Sequence, residues 1–182
     1  MLKAILTAAA LLAIIPAATA GVDRETSAET LVTVAAQEIA QSDQDEIADA
    51  VLRNIDVPAI ARFTLGRHGR TLDDATKTRF AEAFEAYLHR QIVTHADHFS
   101  GVEMTVTKTL ERNDHDAVVT TVVERPEDKL TLRWRVIKRG GEWSVVDLEF
   151  AGIWLAIEQR AQISAILDRP GATIESVIEQ LG

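Results

Sequence analysis

The stretch LTLRWRVIKRGGEWSVVDLEF, Leu130 to Phe150, holds two runs in which apolar and polar residues alternate, joined by Gly140 and Gly141. Alternation at a period of two describes strands with one buried face, and paired glycines supply a turn, so the stretch reads as an antiparallel hairpin. Its register decides which residues share a face, because a slip of one residue turns a whole strand over. A three-residue loop of Arg139, Gly140 and Gly141 sets Trp134 opposite Val146, Leu132 opposite Leu148 and Leu130 opposite Phe150, with Val136 in line with the apolar ladder. The same register puts Asp147 against Arg133 on the other face, where a cross-strand ion pair accounts for an acid in an apolar run. A two-residue loop would pair Trp134 with Asp147 and leave Leu132 facing Glu149, and it is rejected on that ground.

Outward from the hairpin the period of two continues. Val102, Met104 and Val106 alternate with Glu103, Thr105 and Thr107, and AVVTTVV follows from Ala117 to Val123. Turn residues fall between the runs at Asn113 and Asp114 and in RPED, Arg125 to Asp128, so four strands in an antiparallel meander are expected. After Phe150 the chain bends at Gly152 and turns helical through Ile157, Ile163, Ile166 and Leu167, and a short helix from about Thr173 to Gln180 closes it.

Ahead of the strands the apolar spacing is helical. Helices are expected near 28–41, 43–54, 57–65 and 72–96, with Ser27, Ser42, Asp56 and Thr71 as the residues that cap their first turns. Asp45 and Asp74 lie three residues after Ser42 and Thr71, as in a capping box, while Pro58 suits a first turn and Gly66 a stop. The long fourth helix carries Phe80, Ala83, Phe84, Tyr87, Leu88 and Ile92 as one apolar stripe that needs a partner surface.

The opening residues carry Lys3, an apolar run from Ala4 to Ile15 and the small residues of PAATA, which together read as a secretory signal peptide cleaved after Ala20. Residues 21–182 then form a single domain. The formal charge of −9 includes Lys3, so the chain from Gly21 onward carries −10. An acidic chain without a basic run is unsuited to nucleic acid or to lasting adhesion on anionic lipid, which leaves only transient, membrane-proximal docking. With no cysteine anywhere, disulfides, thiol catalysis and zinc–thiolate sites are excluded.

Catalytic patterns are scarce. There is no G-x-S-x-G elbow and no phosphate-binding glycine loop. The histidines at 68, 89, 95, 98 and 115 do not converge on a recognisable ligand set, so no metal is expected. What stands out is apolar supply: Val118 beside Val119, Val122 beside Val123, Val145 beside Val146, and Trp154 after the bend. Both faces of part of the sheet need cover, and a cavity between the sheet and the helix stripe follows. Its expected lining is Phe80, Phe84 and Leu88 from the stripe, with Val102, Met104, Val119, Leu132, Trp134, Val136, Val146 and Leu148 from the strands. Asp147, Arg133 and Gly152 are expected to be structural.

Four motifs in this order resemble the MlaC-type, or toluene-tolerance, family of periplasmic phospholipid-binding proteins. DVPAIARFTLG (Asp56 to Gly66) is similar to the family's D-x-x-x-[IM]-[AS]-R-x-x-L-G, and TRFAEAFEAYLHR (Thr78 to Arg90) to its F-x-x-x-F-x-x-x-L. GEWSVVDLEFAGIWL (Gly141 to Leu155) is similar to W-x-[VI]-x-D-[VI]-x-[IV]-x-G-[VI]-S-L, and EQRAQISAIL (Glu158 to Leu167) with the closing IESVIEQLG to the family's last two helices. Trp154 stands where the family usually has serine and Ile163 where it usually has phenylalanine, and the segment before Asp56 is short for the family.

The resemblance implies an α+β fold in which helices pack on a twisted antiparallel sheet of NTF2-like character and enclose an apolar pocket. It also implies a soluble carrier that moves phospholipid across the periplasm between an outer-membrane lipoprotein–porin complex and an inner-membrane ABC transporter with an MCE-type subunit, maintaining outer-membrane lipid asymmetry. Bound phospholipid would be the ligand, with no cofactor and no catalytic residue. Two alternatives remain: a pocket enzyme on the same fold with Asp147 or Glu149 as proton acceptor, and a periplasmic interaction module whose interior is filled by side chains.

Overall fold

A computed structural model of the chain describes residues 27–96, 101–125 and 128–182. The leader, the expected start at Gly21, His98 and the Pro126–Glu127 tip of the second turn lie outside the described residues.

Ser27 begins the first helix, α1 (Ala28–Gln41), by accepting the amide of Thr30 on its hydroxyl at 3.0 Å. Val32, Ala36 and Ile39 form its buried side, and the small alanines let it lie close on a sheet. Ser42 does not start the next helix as expected. It ends α1 instead: its hydroxyl donates to the carbonyl of Glu38 and its amide to that of Ile39, so the expected capping box with Asp45 does not form. The second helix, α2 (Ile47–Arg53), begins later, with no side-chain cap at Glu46. Asp56 caps α3 (Val57–Leu65) through the amide of Ala59 at 2.9 Å. The cap of α4 (Asp74–Thr94) is Asp73, which accepts from Thr76 at 2.7 Å, and not Thr71, which closes a short 3-10 turn over 68–70.

The strands are β1 (Glu103–Asn113), β2 (Asp116–Glu124), β3 (Lys129–Arg139), β4 (Glu142–Phe150) and β5 (Ile153–Trp154), antiparallel in sequence order. The expected meander is there with one addition. The two-residue β5 folds back on β4 and is too short to show as an alternation in sequence.

The β3–β4 register differs from expectation. Gly140 and Gly141 both have positive φ, 59° and 93°, and form the two-residue turn that right-twisted strands favour, so Arg139 pairs with Glu142. That slip would have set Trp134 against Asp147. A bulge prevents it, since Val136 faces Val145 and Arg135 faces Asp147, leaving Val146 as the extra residue. Beyond the bulge Trp134 lies opposite Leu148 and Leu132 opposite Phe150, so apolar residues still meet. Asp147 therefore faces Arg135 and not Arg133; Arg133 pairs with Glu149 at 2.5 Å and lies over the Trp154 ring at 5.3 Å.

Two apolar cores result. In one, α1 covers the sheet face that presents Val119, Leu132, Trp134, Val136 and Val145, and the buried Trp134 indole donates to the Thr121 hydroxyl at 2.9 Å. The other is helical: α3 and α4 pack with α5 (Leu155–Leu167) and α6 (Ile174–Leu181) around Phe80, Phe84, Ile163 and Val177. Most of the α4 stripe thus faces helices. Phe80 and Phe84 stack at 5.9 Å within that cluster.

Candidate functional site

The two cores meet at the edge of β4 that faces away from β3. Ile55 packs against both, bridges to Val145 as a single parallel pair, and is followed by the Asp56 amide, which donates to the Val145 carbonyl at 2.8 Å. At this seam lies a cavity of about 100 Å³. Val51, Ile55 and Ile60 line it from α2 and the start of α3, Phe84, Leu88 and Ile92 from α4, Val145, Asp147 and Leu148 from β4, and Leu155, Ala156 and Gln159 from α5. Leu155 is 44 % exposed, so the lining continues to the molecular surface. Exposed Phe150, Ile153 and Ile157 lie close to it in sequence, around the β4–β5 turn and the start of α5.

Only two of these residues are polar, and both are engaged. Gln159 donates to the Tyr87 hydroxyl at 3.5 Å. Asp147, 5 % exposed, accepts the amides of Leu148 and Ala156 on Oδ1, each at 2.8 Å. Trp154, at the cap position of α5, offers no side-chain acceptor, so Asp147 reaches across from β4 to satisfy a first-turn amide of that helix. Burial raises the Asp147 carboxyl above the ordinary aspartate value; the Ala156 and Leu148 amides and Arg135 work against that rise, and Glu149 adds to it.

Of the expected lining residues, Phe84, Leu88 and Leu148 reach the cavity. Phe80 is buried beside it in the helical core, while Val119, Leu132, Trp134 and Val136 lie in the core under α1. Val102 and Met104 pack at the far edge of that core, and Val146 is the half-buried bulge residue. Gly152, with φ +83°, shapes the turn into β5. Sequence reasoning missed Val51, Ile55 and Ile60, whose spacing says only that they are buried. It also missed Leu155, although its place directly after the Gly152 bend marks where the chain leaves the sheet. Glu149, engaged by Arg133, lies outside the lining.

Among the described residues the histidines do not cluster. His68 Nε2 lies 3.1 Å from Asp168, His89 lies 3.4 Å from Asp49, and His95 Nδ1 contacts the Gln91 carbonyl. No group of three potential ligands able to hold a metal occurs among the described residues.

The family model described as MlaC protein matches residues 24–182. Among solved structures the chain is similar to the phospholipid-binding protein from Ralstonia solanacearum, determined in complex with a phospholipid. The superposition has a TM-score of 0.75 and covers 85 % of this chain and 94 % of that one, at 17 % identity, a likeness of fold. No curated protein matches the chain.

Proposed function

The chain belongs to the MlaC family, and from that premise we propose that it is a phospholipid carrier of the periplasm and not an enzyme. The observation that carries this reading is the chemistry of the seam cavity: ten apolar linings and two polar ones that already have partners. Such a wall suits acyl chains. Two chains present on the order of thirty methylenes, and at roughly 0.8 kcal/mol each their exposure would cost more than ~20 kcal/mol, so a carrier must enclose them.

Pockets for small molecules already run to about 300–1,000 Å³, so on this reading the 100 Å³ seam widens to admit acyl chains, the C-terminal half of α4 parting from β4. Leu88 and Ile92 line the cavity together with the β4 residues Val145 and Leu148, which makes that boundary the one that yields on this reading. Handover partners on this reading are an outer-membrane lipoprotein–porin complex and an inner-membrane ABC transporter with an MCE-type subunit, reached after export and cleavage at Ala20. No described helix is long and apolar enough to cross a membrane.

Native mass spectrometry of the exported protein, purified without detergent, tests the proposal. A mass excess matching one diacyl phospholipid is expected, and a Leu148→Trp variant that fills the cavity should lose it. A bare protein mass that persists after incubation with phospholipid vesicles would overturn the reading and favour an interaction module with a filled interior.

A further inference from the structure

At the opposite edge of the sheet from the lipid seam, β1 has β2 on one side and no strand on the other among the described residues. A groove of about 720 Å³ runs along that edge. One wall is the unbroken run Gly101–Val106, whose consecutive residues all touch the groove, as happens when a ligand space lies beside a strand and not above one face of it. The other wall is α1, which contributes Glu29, Thr33, Gln37 and Gln41, a row at four-residue spacing on one helix side.

Three features select the occupant. Alternate residues of Glu103–Val106 turn their amides and carbonyls away from β2, along about 13 Å of edge at ~3.3 Å per residue, and the register shift between Val106 and Lys108 ends the regular edge there. Past that bulge Lys108, Glu111 and Arg112 blunt the strand in the usual way, whereas the groove segment carries no cation. The charged residues of the lining are Glu29 and Glu103, so the groove favours a cationic side chain; a second copy of this acidic chain would bring like charges together.

We propose that this groove is a docking site for an extended segment of a partner protein that carries lysine or arginine and adds to the sheet as a strand beside Glu103–Val106. Backbone pairing supplies the affinity and the acidic rim the selectivity. The site is independent of the lipid reading, since it shares no residue with the seam cavity.

The test uses the full exported chain and a synthetic peptide alternating lysine and valine, with amide hydrogen exchange and binding measured together. Exchange at the outward-facing amides of Glu103–Val106, those turned away from β2, should slow on binding, and the same peptide with alternate amides methylated, equal in charge but unable to pair, should not bind. Glu103→Lys should weaken the affinity roughly tenfold, while Glu111→Lys, an equal charge change beyond the bulge, should leave it unchanged. Equal binding of the methylated peptide, or equal loss in both variants, would reduce the effect to net charge and overturn the proposal. Protection of these amides without peptide would also overturn it: rising with protein concentration, it would assign the edge to a second copy; vanishing on deletion of residues 21–26, it would assign it to the chain's own start.

Discussion

The core under α1 and the seam at β4 are both lined by aliphatic and aromatic side chains, yet the first meets open space at its β1 edge, in the groove beside α1, whereas the second holds a cavity between its walls. Beneath α1, Val119, Trp134 and Val136 come from neighbouring strands locked by ladder hydrogen bonds, and the residues above them are largely alanine and valine on one helix. At the seam the walls come from four helices and one strand edge, and apart from the Ile55–Val145 bridge and the Asp147–Ala156 bond they meet through side chains. Composition does not separate the two. What separates them is how many walls are tied by backbone, and only the loosely tied one can widen without breaking a ladder.

The largest blow to that comparison is Trp134→Ala. It removes a side chain that is 1 % exposed, opens a void in the tied core and leaves the Thr121 hydroxyl without its indole partner, so a loss of about 3–5 kcal/mol is expected in chemical denaturation. Because the frame cannot close on the void, lipid content per folded molecule should not rise. A loss below ~1 kcal/mol would mean the sheet core is as yielding as the seam.

Next in size is Asp147. Asp147→Ala strands the amides of Leu148 and Ala156 in a buried place and should cost about 2–4 kcal/mol, whereas Asp147→Asn keeps an oxygen for both and removes the charge. A carboxyl whose value is raised on folding binds its proton more tightly in the native state, so its contribution is fully present below the unfolded value near ~3.9 and is lost as pH rises through the folded value. Wild type should therefore gain stability relative to Asp147→Asn as pH falls across that window. Carboxylates held low in the fold, such as Glu38 beside Asn54 and Arg53, change stability in the opposite sense but are common to both proteins and cancel in the difference. Parallel pH profiles for the two would show that Asp147 is not desolvated at the seam.

Which parts were legible follows from what each signal encodes. The bounds of α1 and α3 were readable because Ser27 and Asp56 act on amides within their own first turns. Ser42 misled because a small polar side chain serves a helix end as well as a start. The β3–β4 faces were right in outline and wrong in register: Gly140–Gly141 is a two-residue turn signal, and rejecting it required a straight β4, when the strand instead inserts Val146 as a bulge. The site was least legible. Val51, Ile55 and Ile60 show as buried in any helical reading, and only the docking of α2 and α3 on the β4 edge makes them neighbours of Leu148.

The smallest expected effect compares the two hairpins that flank β4. Both are two-residue turns that need positive φ at each central residue; one has Gly140 and Gly141, the other Ala151 at 51° and Gly152 at 83°. Alanine in that conformation is strained by about 1 kcal/mol, but replacing it with glycine also frees the unfolded chain by roughly 0.4–1 kcal/mol. Ala151→Gly should thus raise stability by at most ~0.5 kcal/mol, and Ala151→Asn, which tolerates the conformation with less unfolded freedom, by somewhat more. Differential denaturation can resolve the order of the three. Leu155 follows this turn into the seam, so the sharper reading is lipid exchange: if Ala151 is a strained hinge that helps the wall move, the more stable variants should exchange lipid more slowly. Unchanged exchange alongside higher stability would assign the yielding wall to α4 alone.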